Sequence, residues 1–353
     1  MESGASARTA RPTLAAVAAL AGVSASTASL AFSGAGPVSV STRERVLAAA
    51  KTLDYGGPDP RAQSLRRGRS GVVGVVMEDR LRDAFRDPIN IAMLDGLADE
   101  LGAASLGLLI MTEPGSSSLD LPTAPMDAVV LVGCSTQLER AVVVFRQRGV
   151  PVIAIEAEAM PELLAIDLDN ADATTRAARH LADLGHERVA LVTLPLEPSH
   201  ERGPLSPERE AASTAYTAKQ RIRGARAVFP DAGGVVATGS DVEEGVIAGD
   251  AILRLDPRPT AVIAQSDLLA VGVIRAAEAA GLRVPDDLSV VGFDGIRIDG
   301  SEHLELTTLV QPAVEKGRAA GRAIVELLAG GHPGSTSFTC RLRVGSTTGP
   351  APR

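Results

Sequence analysis

Two hydrophobic rhythms divide the chain. In the first, apolar residues recur three and four positions apart: Leu14, Val17, Ala18 and Ala21 share one helical face, with Thr13 placed to cap the helix and Gly22 to stop it. Val23 is a buried-type residue in the turn that follows, and Ser24 heads a second short helix reaching about Phe32. After the loop SGAGPVS, Ser41 and Glu44 form an S-x-x-E capping box ahead of Val46, Leu47, Ala50 and Leu53. Three short helices with a tight glycine turn between the first two predict a helix-turn-helix.

Beyond Ser70 short β-branched runs alternate with longer amphipathic stretches. The runs 71–77, 106–111, 127–132, 151–155, 188–193, 234–238, 260–264 and 288–294 predict strands. The stretches near 89–102, 136–148, 171–184, 214–229, 241–255 and 266–280 predict the helices between them. Continuously apolar strands separated by helices imply parallel sheets covered on both faces. The length of this region exceeds one compact layer set, so two α/β subdomains are expected.

Between the two rhythms lies GGPDPRAQSLRRGRS, in which Pro58 and Pro60 keep the third helix from continuing. It predicts a linker with at most one turn of helix. The stretch 194–210, LPLEPSHERGPLSPERE, is long for a loop of such a domain and predicts either a mobile lid or a disordered insertion.

Charge sharpens this division. The net charge of −8 alone argues against nucleic acid, yet residues 1–70 hold nine Lys/Arg and four acids, a net of +5, which leaves −13 on the remainder. A small basic module on an acidic body is expected where the N-terminal region alone approaches a polyanion. Cys134 and Cys340 stand in unrelated segments, which suits a reducing compartment better than a disulfide framework. No signal peptide, membrane anchor or long apolar run is read from the sequence. Five scattered histidines, with no H-E-x-x-H, P-loop, G-x-G-x-x-G or G-x-S-x-G pattern, argue against metal, nucleotide or serine-nucleophile chemistry. His186 in LGHERV is expected to pack or cap after a helix.

From Thr13 to Arg69 the chain resembles the headpiece of the lactose-repressor (LacI) family. LAGVS, GPVSVSTRERVLAAA and SLRRGRSG carry the likeness there, and LADLGHERVALV, DLLAVGVIRAAEAAGLRVPDDLSVVGFDG and LTTLVQP continue it in the family's order. The resemblance implies an α/β fold class: an N-terminal three-helix helix-turn-helix headpiece and a periplasmic-binding-protein-like core of two Rossmann-like parallel-sheet lobes. The expected organisation is a disordered tail (1–11), a DNA-binding domain (12–57), a hinge (58–70) and a ligand-binding core (71–349). Lobe 1 is expected from about 71–168 and 299–332, and lobe 2 from about 169–298 and 333–349. Also implied are double-stranded operator DNA as partner, a small-molecule effector such as a sugar between the lobes, and a homodimer rather than a tail-assembled tetramer. A repressor of the cytoplasm and nucleoid, with no cofactor and no catalytic role, is the expectation.

Residue by residue, the resemblance places DNA contacts at Thr13, Leu14, Ser24, Ala25, Ser26, Thr27, Ser29, Leu30 and Ser33. The hydroxyls of Ser24, Thr27 and Ser29 suit phosphate, while Ala25, Ser26 and Leu30 stand at base-reading positions. Ser24 has a second reading as a cap alone, and Leu30 as a packing residue. The chain departs from the family where Arg is common, at Leu30, and Asn, at Ser33; Ala25 and Leu30 offer only apolar contact, for example to a thymine methyl. In the hinge, Leu65 matches the family's minor-groove wedge, with Ala62 on the same face and Arg66, Arg67 and Arg69 available to phosphates; a solvated linker is the other reading. Effector contacts are implied at Asp87, Arg221, Asp267 and Asp294. Asp267 reads equally well as a helix cap, and Arg221 as an ordinary solvated arginine. Ile89 and Asn90 stand where the family often has an aromatic pair, and with no Trp and two Tyr little ring stacking is expected.

Overall fold

The computed structural model describes residues 12–34, 36–58, 68–77, 85–112, 124–133, 139–158, 160, 163–197, 199–297 and 304–352. The expected tail 1–11, Ala62, Leu65, Arg66 and Cys134 lie outside the described residues. The chain divides into two compact units, Met1–Ser70 and Gly71–Arg353.

The first unit contains α1 (Leu14–Ala21), α2 (Ala25–Ser33) and α3 (Val40–Thr52). Thr13 caps α1, its hydroxyl accepting from the Ala16 amide at 3.2 Å, and Gly22 closes the helix at φ +66°, where a Cβ would cost about 1–2 kcal/mol. Ser24 caps α2 by accepting from the Thr27 amide at 3.1 Å. The capping box expected at Ser41 and Glu44 is corrected: α3 starts earlier, and Ser39 accepts from the Thr42 amide at 3.2 Å. Val38 packs on the unit's core and sets the corner at Ser39, so Ser41 already lies in the first turn. Small side chains fill that core (Val17, Ala18, Ala21, Ala28, Ala31, Val46, Ala49, Ala50), and Phe32 meets Tyr55 edge to face at 5.7 Å.

The second unit holds two sheets. Their strands are β1 (Val72–Met77), β2 (Gly107–Thr112), β3 (Ala128–Val132), β4 (Val152–Ile155), β5 (Leu164–Leu168), β6 (Val189–Thr193), β7 (Gly203–Pro204), β8 (Gly234–Val236), β9 (Ala261–Ala264), β10 (Ser289–Asp294), β11 (Thr307–Val310), β12 (Thr336–Phe338) and β13 (Arg341–Arg343). The first sheet runs β12-β5-β4-β3-β1-β2, parallel throughout. The second runs β13-β11-β10-β9-β6-β8-β7, with the edge strands β13 and β7 antiparallel to their neighbours. Helices α4 (Pro88–Ala103), α5 (Glu139–Gln147), α6 (Asn170–Asp183), α7 (Pro207–Ala212), α8 (Tyr216–Arg226), α9 (Val242–Leu253), α10 (Asp267–Ala279) and α11 (Ala313–Leu328) stand between the strands. Strands such as β3, β4, β9 and β10 are buried along most or all of their length, as the continuous apolar runs require.

The lobe boundaries drawn from sequence need two corrections. Residues 307–310, expected in lobe 1, pair with β10 in the second sheet. Residues 336–338, expected in lobe 2, pair with β5 in the first. The chain therefore crosses between lobes after Leu168, after Val310 and after Phe338. The first and third crossings are stitched together: Asp169 accepts from the Cys340 amide at 2.7 Å and from Arg176 at 2.7 Å, while Arg176 also donates to the Cys340 carbonyl.

The stretch 194–210 is the other correction. It forms β7 and α7 and is tied down by ion pairs, Arg202 to Glu244 and Arg209 to Glu197, with Glu210 of α7 paired to Arg226. Leu205 enters the core beneath it. One of these pairs lies within the stretch, and the other two join it to α8 and α9. His186 packs as expected, bonded to Thr260, Ser289 and the Gly349 carbonyl.

In lobe 1, α11 lies on α4 at backbone distance. A Cβ on Gly317 would stand 2.0 Å from the Met93 carbonyl oxygen, and one on Gly96 2.0 Å from that of Val314. This fixes the register of the residue beside it, Lys316.

Candidate nucleic-acid interface and ligand site

On α2, Ala28 and Ala31 face the core of the first unit, which turns Ala25, Ser26, Leu30 and Ser33 outward. Ser29 and Thr27 are half-buried at the borders of that face. Ser24 sits at its head, 2.8 Å from both the Ser26 and Thr27 hydroxyls, so three hydroxyls cluster at the helix N-terminus. Thr13 is exposed, and Leu14 packs partly against the core. Leu30 is 38% exposed and leans over Gly36, so it is shared between packing and surface. Ser33 donates to the Leu30 carbonyl at 3.2 Å. None of the three helices has an acid in its first turn, which leaves their positive ends uncompensated. Sequence reasoning missed Ser39 and Thr42 at the third such end; their S-x-x-T spacing was the available signal.

In the second unit Arg221, Asp267 and Asp294 gather around the carboxyl ends of the second sheet's strands, and Asp87, at the head of α4 in lobe 1, is near enough for its charge to act on Asp294. Arg221 on α8 is buried: its Nε donates to Asn170 Oδ1 at 2.8 Å, its NH1 to the Gln265 carbonyl at 2.5 Å, and its guanidinium lies 3.5 Å from the Phe293 ring centroid. The ordinary solvated reading of this arginine is thereby set aside. Asp294, at the end of β10, accepts from Gln311 Nε2 at 2.6 Å, and burial together with the charges of Asp87 and Asp267 holds its carboxyl well above the usual range against the pull of Arg221. Asp87 caps α4, accepting from the Ile89 amide at 2.9 Å.

Asp267 differs from these. It is fully buried, and its oxygens accept from Thr308 at 2.5 Å and from the Gly295 and Ile296 amides at 2.8 and 2.9 Å. The cap of α10 is Ser266, not Asp267. Asp267 thus shapes the turn after Asp294.

Four further polar residues escaped the sequence reading. Glu156, at the end of β4, pairs with Lys316 of α11 and accepts from Asn170 Nδ2 at 2.7 Å. Lys316 also donates to Gln311 Oε1. Burial pushes the Glu156 carboxyl up, but Lys316 and Arg221 and the bonds to it prevail and hold it below its ordinary value. The signal for Lys316 was its place on an apolar stripe with Ala313, Gly317, Ala320 and Ile324, where a lysine needs a buried partner. No group of acids, histidines and cysteines able to hold a metal occurs among the described residues.

Comparison with known proteins places both units. Residues 13–57 match the family model of bacterial regulatory proteins, lacI family, and residues 178–348 match the periplasmic binding protein-like domain. An HTH-type transcriptional regulator of Mycolicibacterium smegmatis is 31% identical over 96% of this chain and 97% of its own length. The regulator IpsA of Corynebacterium glutamicum is 32% identical over 92% and 97%, and the repressor CytR of Escherichia coli 30% over 92% and 93%. Among solved structures, a LacI family regulator from Corynebacterium glutamicum superposes with a TM-score of 0.70 at 25% identity, covering 96% of this chain and 99% of that one. The lac repressor dimer bound to operator and the anti-inducer ONPF shares the fold, with a TM-score of 0.75 at 23% identity over 96% and 100%. This chain belongs to the LacI family of bacterial transcriptional regulators, DNA-binding proteins with a periplasmic-binding-protein-like ligand domain and not enzymes.

Proposed function

We propose that the chain is a repressor that binds a pseudo-palindromic operator as a homodimer in the cytoplasm, on the nucleoid, and that a sugar or related metabolite bound between its core lobes controls that binding. The observation that carries the reading is the outward face of α2, where Ser24, Ala25, Ser26, Leu30 and Ser33 stand beside a hydroxyl-capped, acid-free helix end. Such an end suits a phosphate, and the short side chains behind it suit close approach to base edges. Thr13, Leu14, Thr27 and Ser29 flank the contact, with Ala62, Leu65 and Arg66 following in the hinge. Buried polar groups around Arg221 and Asp294, with Asp87 nearby, support a hydroxyl-rich effector; solved regulators of the same fold hold cellobiose in one case and ribose in another.

The test is a mobility shift of the full chain on DNA from upstream of its own gene against scrambled DNA, at two salt concentrations. Preferential binding that weakens steeply with salt is expected; equal binding to both DNAs would refute a sequence-specific repressor. Sugars added to the shifted complex then test the effector, and a panel in which none alters the shift or binds the free protein would refute that part.

A further inference from the structure

Lys316 is 3% exposed, and its ammonium sits at a branch point. One arm runs from Lys316 to Glu156, from Glu156 to Asn170 over 2.7 Å and from Asn170 to Arg221 over 2.8 Å. The other runs from Lys316 to Gln311 and from Gln311 to Asp294 over 2.6 Å. Lys316 and Glu156 belong to lobe 1. Arg221 and Asp294 belong to lobe 2, and the bridging residues Asn170 and Gln311 stand at the first and second crossings between lobes. Each arm thus spans a different crossing and ends on a residue of the ligand site.

Backbone geometry marks the same places. Glu156 has φ +53° and directly follows the buried strand β4, and Asp294 has φ +119° and is the last residue of the buried strand β10. A residue with a Cβ in these regions costs about 1–3 kcal/mol unless its surroundings over-determine it. A buried ion pair is a poor source of stability, since apolar residues of similar volume often serve as well or better. What it does supply is direction: charges and hydrogen-bond donors fix where their partners point.

We propose that Lys316 is a positioning residue of the ligand site: from lobe 1 it fixes Arg221 through Glu156 and Asn170, and Asp294 through Gln311, so that the placement of the lobes sets the geometry presented to the effector. This rests on the effector reading above. Lys316 touches neither Arg221 nor Asp294 directly, and it acts on both through a single bridged route each.

The test needs no ligand. In the full-length protein, labelled at arginine side chains, hydrogen exchange at Arg221 Nε–H reports whether that group is held against Asn170; its resonance is identified by its loss in Arg221→Lys. In Lys316→Met, exchange at this group is expected to rise about tenfold or more, while amides of α11 such as Ala320 and Ile324 keep their protection. Lys316→Arg, which keeps the charge, is expected to recover part of the protection. If Lys316→Met does not fold, the neutral pair Glu156→Gln/Lys316→Met replaces it, with the same rise expected. Unchanged exchange at Arg221 Nε–H in the folded variant overturns the proposal, and so does a rise shared equally by the α11 amides, which would signal general loosening. A wild-type protein that binds no sugar would sink the effector reading alone, because the exchange measurement stands without it.

Discussion

At the heads of α1, α2 and α3 in the first unit a hydroxyl accepts from the backbone and no acid lies in the first turn. In the second unit three capped helices carry acids after the cap, Glu208 and Glu210 in α7, Glu243 and Glu244 in α9 and Asp267 in α10, whereas α4 has only its Asp87 cap and α8 has no acid there. Both arrangements satisfy backbone amides, but they leave different fields. A helix N-terminus carries about half a positive charge, worth about 0.3–1 kcal/mol to a nearby anion. Helices α7 and α9 place it against their own glutamates, and the headpiece helices leave it open to an anion from outside. The net charges of +5 and −13 on the two parts point the same way.

The strongest way to break this comparison is to remove the headpiece. A chain lacking residues 1–70 is expected to lose specific operator binding by about 10³-fold or more in a mobility shift, while keeping whatever sugar binding the full chain shows by calorimetry. Retained operator binding would mean that the acidic core contacts DNA itself.

Packing gives the next test. In the core, α11 meets α4 through Gly317, where a Cβ would strike the Met93 carbonyl; in the headpiece, a Cβ on Gly22 would meet nothing within 4 Å. Gly317→Ala is expected to cost about 3 kcal/mol through the clash, and Gly22→Ala about 1 kcal/mol through its positive φ alone, both read from urea unfolding. Equal costs would show that α11 can shift away from α4 without loss.

Ser24→Asp separates two roles that coincide in the native residue. Aspartate caps a helix as well as serine does, so headpiece stability is expected to stay within about 0.5 kcal/mol in thermal unfolding. Its charge at the α2 N-terminus repels phosphate, so operator affinity is expected to fall about tenfold at low salt, an effect that shrinks as salt is raised. Undiminished affinity would leave Ser24 with its capping role only.

These cases show what a linear reading reaches. Thr13, Gly22 and Ser24 act through neighbours three or four residues away, and the sequence exposed all of them; the apolar runs exposed β1, β3, β4, β9 and β10 for the same reason. The helix start at Ser39 was misplaced because SVST offers two serines and the choice is made by Val38 packing on the core. Strands β11 and β12 were assigned to the wrong lobes because nothing local records which of two parallel sheets a short strand joins. Lys316 and Glu156 lie 160 residues apart, so their pairing was invisible, although a lysine on an apolar stripe announced that some partner existed. Asp267 shows the converse: an acid after a buried strand looks the same in sequence whether it caps the next helix or holds the next turn, and here Ser266 is the cap.

Asp267 gives the finest probe of the comparison. It lies in the first turn of α10, where the helix field and three hydrogen bonds favour the anion, yet burial prevails and pushes its carboxyl up to about 7. The folded protein therefore holds this proton to higher pH than the unfolded chain, whose aspartates release theirs near an ordinary value of about 4. Stability contributed by the protonated form is complete below that ordinary value and is lost as pH rises from about 4 to about 7. His180 and His186, depressed chiefly by burial, act in the opposite sense and cost stability as pH falls below their ordinary range. Comparing the native protein with Asp267→Asn cancels the histidines, because both proteins carry them. An asparagine can still accept from the Gly295 and Ile296 amides and can donate to Thr308, but it cannot ionise. Urea unfolding at pH 5, 6, 7 and 8 is expected to show the native protein losing stability relative to the variant up to about pH 7, with the two running parallel above it. Parallel curves across the whole range would mean that the Gly295 and Ile296 amides keep Asp267 ionised, and that this helix end, like those of α7 and α9, already holds its own anion.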